Sequence, residues 1–179
     1  MNQEKTNTIR SIAWGYFFLF INFSLNNWSL LPAWFAWYKF GRAIGGLKEI
    51  RPKLVLLENF VPPLLVWSLL EWQQFFELPG WLRPVGVLLS LMTLYFHFHL
   101  LTELSALASD ALAQRLLRCR TASVVMQTAL ALAGALPLPQ SAIAALALPL
   151  VLAGFVVCIY IMTSVFRLAG ELEEAGVQN

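Results

Sequence analysis

The sequence predicts an all-α integral membrane protein, with six hydrophobic helices arranged as three helix-turn-helix hairpins. Three observations predict it. Hydrophobic residues make up 59% of the 179 positions, against roughly 45–50% in ordinary soluble domains. Charged residues are only 12%, about half the usual share. Ser11–Tyr38, Pro84–Thr102 and Thr121–Phe166 contain no Asp, Glu, Lys or Arg at all. A soluble globule of this size cannot hide so much apolar surface. Residues 1–179 therefore read as a single transmembrane domain. Ten Gly, nine Pro and two Cys are too few for a collagen or a disulfide scaffold, and the apolar content excludes disorder.

A spanning helix needs about 20 apolar residues, and the segments follow from that length. The first two lie at 9–25 and 30–47, separated by the turn chemistry of Asn26-Asn27-Trp28-Ser29. Lys5 and Arg10 before an apolar stretch imitate a signal peptide. No small-x-small cleavage site follows, so the stretch reads as an uncleaved first helix. The third segment, 54–76, holds Pro62-Pro63, which remove two backbone donors and should kink it. In a membrane the freed carbonyls must face protein or a wet cavity. The fourth spans 82–112. The run Thr121–Phe166 is long enough for two spans, at 117–134 and 140–168, with Leu136-Pro137-Leu138-Pro139-Gln140 as the turn between them.

Lys and Arg positions set the orientation. With six spans and a cytoplasmic N-terminus, eleven of the twelve Lys and Arg fall inside and only Arg83 outside. Treating 11–38 as one span leaves at best eight inside. Both termini are then cytoplasmic, and the membrane is the bacterial inner membrane. A re-entrant hairpin over 9–47 gives the same count. Leu31-Pro32-Ala33-Trp34 and Leu78-Pro79-Gly80-Trp81 repeat a Leu-Pro-x-Trp pattern at the outer corners. Pro suits a first helical turn and Trp an interface, so the match reads either as a repeat or as common interface chemistry.

Ionisable groups inside spans are costly and are the first place to look for function. Tyr95, His99, Glu103 and Asp110 sit at spacings of 4, 4 and 7 on the fourth segment, one stripe about 80° wide. His97 points the other way. The stripe reads as a ligand site or proton relay, or else His99–Glu103 is a structural i,i+4 pair. Asn22 belongs to a stripe with Ser11, Gly15 and Asn26, where small and amide residues favour close helix packing or a ligand contact. Glu58 precedes the double proline. Glu71, Gln73, Gln74 and Glu77 form either an acidic outer vestibule or a solvated helix end. Trp14, Trp37, Tyr38 and Trp67 are positioned to stack a ring or hold a cation. Ala129, Ala133, Ala142, Ala145 and Gly154 should let the last two helices approach closely.

No His-Glu-x-x-His, phosphate loop or metal-ligand spacing is present, so no catalytic centre, metal or cofactor is expected. Cys119 and Cys158 lie at different depths and read as free thiols. The net charge of +2 reflects the inside loops and gives no reason to expect nucleic-acid binding. Arg42 and Lys48, beside Gly41, Gly45 and Gly46, are placed to touch anionic lipid.

The segment Ile12-Ala13-Trp14-Gly15-Tyr16-Phe17-Phe18, followed by Leu31-Pro32-x-Trp34, resembles a family of small uncharacterised bacterial multi-pass membrane proteins. That resemblance lies within the first 35 residues and implies no activity. In architecture alone the chain is similar to the substrate-binding subunits of energy-coupling-factor vitamin transporters, though their Ala-x-x-x-Ala first-helix pattern is absent. The expected function is a non-catalytic small-solute binding or transport subunit, with a cavity lined by the first, third and fourth segments. The alternatives are a regulatory protein that binds the transmembrane helix of another membrane subunit, and an intramembrane enzyme using His99 and Glu103.

Overall fold

The computed structural model describes residues 2–20, 24–25, 28–29, 33–72, 82–135 and 139–177. These residues are helical apart from short turns and one two-residue antiparallel ladder. Helix α1 runs Asn2–Phe20 and α2 Ala33–Leu47. Between them β1, Ser24–Leu25, pairs with β2, Trp28–Ser29, with Ser24 opposite Ser29 and Leu25 opposite Trp28. A 3-10 turn at Pro52–Leu54 leads into α3, Val55–Glu58, and then α4, Val61–Trp72. Helices α5, Arg83–Ser105, α6, Asp110–Ala135, and α7, Gln140–Val177, complete the chain.

Most boundaries lie within a few residues of expectation, and the departures have local causes. Helix α1 starts earlier than residue 9 because Glu4 sits favourably in its positive first turn and because Thr6 and Ile9 are buried. The third segment breaks at Asn59-Phe60, just before Pro62-Pro63, as two missing donors require. The Phe60 amide reaches only back to the Leu57 carbonyl, at 3.1 Å.

The fourth segment does not continue to residue 112. It ends at Ser105, and α6 begins at Asp110, seven residues before the predicted 117. Apolar periodicity runs through this junction and hides it. The cause is Ser109-Asp110, whose short polar side chains favour a helix start. Glu171 of α7 fixes it there, accepting from the Ser109 amide at 3.0 Å and from its hydroxyl at 2.8 Å. Helix α7 passes the predicted end at 168 because its polar last turns have partners.

Helix α1 packs between α2 and α7; α2 also packs on α4, and α6 on both α5 and α7. The core lies where Ile9, Ile12 and Tyr16 meet Phe40, Ile44, Phe96, Ile161 and Val165, all fully buried. Two close approaches position these helices. A Cβ on Gly15 would sit 2.7 Å from Phe40, and one on Gly154 3.2 Å from the Met126 sulfur. Both fit the expected small-residue packing, although Ala145 is exposed.

Three segments are long and apolar enough to cross a membrane: Pro52–Glu71, Pro84–Ser105 and Pro149–Ala175. Their exposed side chains include many large apolar ones, among them Val66, Leu70, Val87, Leu91, Val151 and Phe155. In water such a surface would be unfavourable; against lipid it is expected. Of the six expected spans, α2 is too short by itself: 15 residues cover only about 22 Å at ~1.5 Å each. Helices α1 and α6 dilute their apolar stretches with Lys5 and Arg10, and with Arg115, Arg118 and Arg120. Asn22, the Leu-Pro-x-Trp corners, Gln73, Gln74, Glu77 and the turn at 136–138 lie, wholly or in part, outside the described residues.

Candidate functional site

The predicted stripe on the fourth segment separates into parts with different partners. The Tyr95 and His99 rings meet at a tilt of 43°, centroids 4.2 Å apart, and Phe60 meets the Tyr95 ring edge-on at 5.5 Å. Glu103 turns inward instead and is 4% exposed. Its Oε2 accepts from Arg51 Nε at 2.8 Å and lies 2.7 Å from Arg51 Nη2. Thr102, on the same face, accepts from Arg120 Nη1 at 3.1 Å and donates to the Phe98 carbonyl at 2.7 Å. The Arg120 guanidinium also lies over the Phe98 ring, 4.5 Å from its centroid. The half of the stripe nearer Ser105 is thus held by arginines from the 48–51 loop and from α6. Asp110 is not on this helix at all: it opens α6 and is exposed.

The other candidates are placed as follows. Glu58 meets Lys48 at 3.3 Å, both side chains more than 40% exposed, which makes a weak surface pair. Trp37 is buried and packs edge-on against Phe40 and Phe96, centroids 5.7 and 5.2 Å away. Cys119 and Cys158 are free and buried.

Sequence reasoning left His97 without a role, yet it is the buried histidine, 2% exposed. Its Nδ1 lies 3.3 Å from the Tyr16 hydroxyl. Tyr16, Trp37, Phe40 and Phe96 surround the ring with centroids 5.3–6.0 Å away. The signal was present in the spacing, since His97 faces away from His99, toward α1 and α2. Which aromatics would meet it there was not.

A cavity of about 180 Å³ lies between α1, α2, α4 and α5, lined by Trp37, Trp67, Ser68, Glu71, Ser90 and Thr93 among others. Trp67 Nε1 donates to Glu71 Oε1 at 2.7 Å, one turn apart on α4. The Trp67 ring reaches across to α5 because residue 86 is Gly; a Cβ there would lie 3.2 Å from the ring. Ser68 and Ser90 donate back to the Leu65 and Gly86 carbonyls, at 2.8 and 2.9 Å. Their oxygens therefore keep acceptor capacity. The site combines two indoles, a carboxylate at its rim and hydroxyl oxygens, which is chemistry for a small cation.

The expected four aromatics do not converge. Trp37 and Trp67 line this cavity, whereas Trp14 lines a separate groove with Arg10, Lys39 and Arg42. Tyr38 is 47% exposed and stacks on Phe35, centroids 6.1 Å apart. His99 lines neither space.

Compared with known proteins, the chain matches no family model, no curated protein and no solved structure.

Proposed function

We propose that the protein is a non-catalytic binding or transport subunit of the bacterial inner membrane, and that its solute is a small organic cation. The cavity lined by Trp37, Trp67 and Glu71 carries this reading. A cation between aromatic faces gains about 0.5–2 kcal/mol per ring, and a carboxylate adds attraction and specificity. A volume of about 180 Å³ lies below the roughly 300 Å³ at which drug-sized pockets begin, so the solute is a small amine or quaternary ammonium ion.

Six membrane segments with both termini inside complete the proposal. Three apolar helices support the membrane setting, and the Lys and Arg distribution supports the orientation. On that orientation Glu71, at the end of α4, faces the outside, where an acidic rim would gather cations. The solute then sits on the α4–α5 side of Trp37 rather than on the Tyr95–His99–Glu103 stripe, whose inner half is occupied by arginines.

The test is a thermal-shift titration of the detergent-purified protein with tetramethylammonium and ethylamine, using acetate as the anionic control. A saturable rise in Tm with the cations alone is expected, approaching about 2.7 kcal/mol at a hundredfold excess over Kd. It should disappear in Glu71→Gln and persist in His99→Ala. Equal shifts in wild type and Glu71→Gln would overturn the assignment. A stabilisation lost in His99→Ala instead would return the site to the fourth-segment stripe.

A further inference from the structure

We infer that the groove between α1 and α2 is a binding site for the headgroup of an anionic phospholipid. The groove encloses about 720 Å³ and is lined by Asn7, Arg10, Ser11, Trp14, Lys39 and Arg42, with Glu4 and Thr8 at one end. The inference rests on the membrane reading but not on the cation cavity, which lies elsewhere and is lined by different residues.

The level of the groove follows from the sequence and the pairing of the two helices together. The charge-free run Ser11–Tyr38 is bordered by Arg10 on one side and Lys39 on the other. Helices α1 and α2 pack in antiparallel register: Gly15 lies against Phe40, and Gly46 against Thr8. This register puts Arg42 level with about residues 12–13 of α1, beside Ser11 and Trp14. Lys39 comes level with about Tyr16, roughly 8 Å from the level of Arg10 at ~1.5 Å per residue. Trp14 stands one turn inside the Arg10 border, 46% exposed, where an indole prefers to lie in a membrane interface. Its ring meets Phe17, Phe18 and Phe166 with centroids 5.4, 6.4 and 6.0 Å away. The groove therefore sets Arg10, Ser11 and Arg42 beside the exposed Trp14 ring. Lys39 lies about a turn further along, its ammonium 5.3 Å from the Phe35 ring centroid. Cationic, polar and aromatic groups thus share one surface, as a phosphate and its acyl chains require.

The charge balance favours an anion. Arg10 is neutralised by Glu173, Nη2 to Oε2 2.7 Å, which leaves its other nitrogens as donors. Lys39 and Arg42 have no carboxylate at ion-pair distance among the described residues. Only Glu4 opposes them, so the groove keeps a cationic surplus. Basic side chains at a membrane surface attract anionic lipid, and two together with an oriented arginine make a defined site. Asn7 and Ser11 add neutral donors suited to phosphate and glycerol oxygens.

The test uses the detergent-purified full chain and three probes: dioctanoyl phosphatidylglycerol, dioctanoyl phosphatidylcholine and inorganic phosphate. Thermal stabilisation and quenching of Trp fluorescence by a brominated phosphatidylglycerol are read together. Phosphatidylglycerol should stabilise saturably, and the other two should not. Lys39→Gln and Arg42→Gln should each raise the apparent Kd at least threefold, and the double variant at least tenfold. Arg118→Gln, an exposed charge on α6, should leave it unchanged. Equal effects of the two lipids would overturn the site, as would an unaffected double variant. Stabilisation by inorganic phosphate alone, at similar concentration, would overturn the lipid assignment in favour of a free anion. Neither result depends on the cation titration.

Discussion

Arg51 places two nitrogens, Nε and Nη2, on the single oxygen Oε2 of Glu103, at 2.8 and 2.7 Å. The acceptor side chain is 6% exposed and the donor 27%. This pair ties the loop after α2 to the C-terminal end of α5, across 52 positions of sequence. A carboxylate so enclosed depends on its partner, because the interior cannot hydrate it.

Removing Arg51 should therefore cost more than removing both charges. Arg51→Ala is expected to destabilise by about 2–3 kcal/mol, below the 3–5 of a fully buried pair because water still reaches the guanidinium. Adding Glu103→Leu should restore most of that loss. Thermal unfolding of the two variants in one detergent decides the matter; a double variant no better than the single would mean that Arg51 acts through other contacts.

Glycines at two positions should respond oppositely to alanine. At Gly15 the new Cβ would stand 2.7 Å from the buried Phe40 ring, and overpacking of this kind costs about 1–3 kcal/mol. At Gly45, inside α2, nothing lies within 4 Å, so Ala should stabilise by up to about 1 kcal/mol through helix propensity. Unfolding midpoints for Gly15→Ala and Gly45→Ala that move in the same direction would contradict the packing of α1 on α2.

The start of α6 should loosen when α7 lets go. Glu171→Ala removes the carboxylate that accepts from Ser109, a loss comparable to an N-cap deletion of about 1 kcal/mol. Hydrogen exchange should accelerate at residues 109–113 and stay unchanged in the middle of α5. Uniform protection in the variant would show that Asp110 and neighbouring side chains suffice.

Orientation can be read with cysteine labelling in intact cells. Arg83→Cys should react with a membrane-impermeant maleimide, whereas Lys53→Cys and Arg118→Cys should react only after permeabilisation. The native Cys119 and Cys158 are buried and should give little background. Labelling of Lys53→Cys from outside would reverse the proposed topology.

Much of the fold was legible before any coordinates. Absent charge over long runs marked the apolar helices. Pro62-Pro63 marked the break at Asn59-Phe60, because a missing N–H has the same consequence wherever it stands. Helical spacing alone turned His97 away from His99. The junction at Ser109 was less legible, since apolar periodicity continues across it and only a contact from α7 fixes the start of α6.

The helical class and the apolar segments were thus determined by the sequence itself, for hydrophobicity and backbone chemistry act at every residue regardless of neighbours. The junction between α5 and α6 was not. Partner choice was decided by tertiary structure alone. Spacing offered Glu103 the nearby His99, yet the chain gave it Arg51, because a guanidinium satisfies a buried carboxylate with charge and two donors at once. The same holds for Trp37 and Trp67, which lie 30 positions apart in sequence and meet in one cavity with Glu71. Local periodicity states which face a side chain occupies; only the packing of that face against another helix states what it meets.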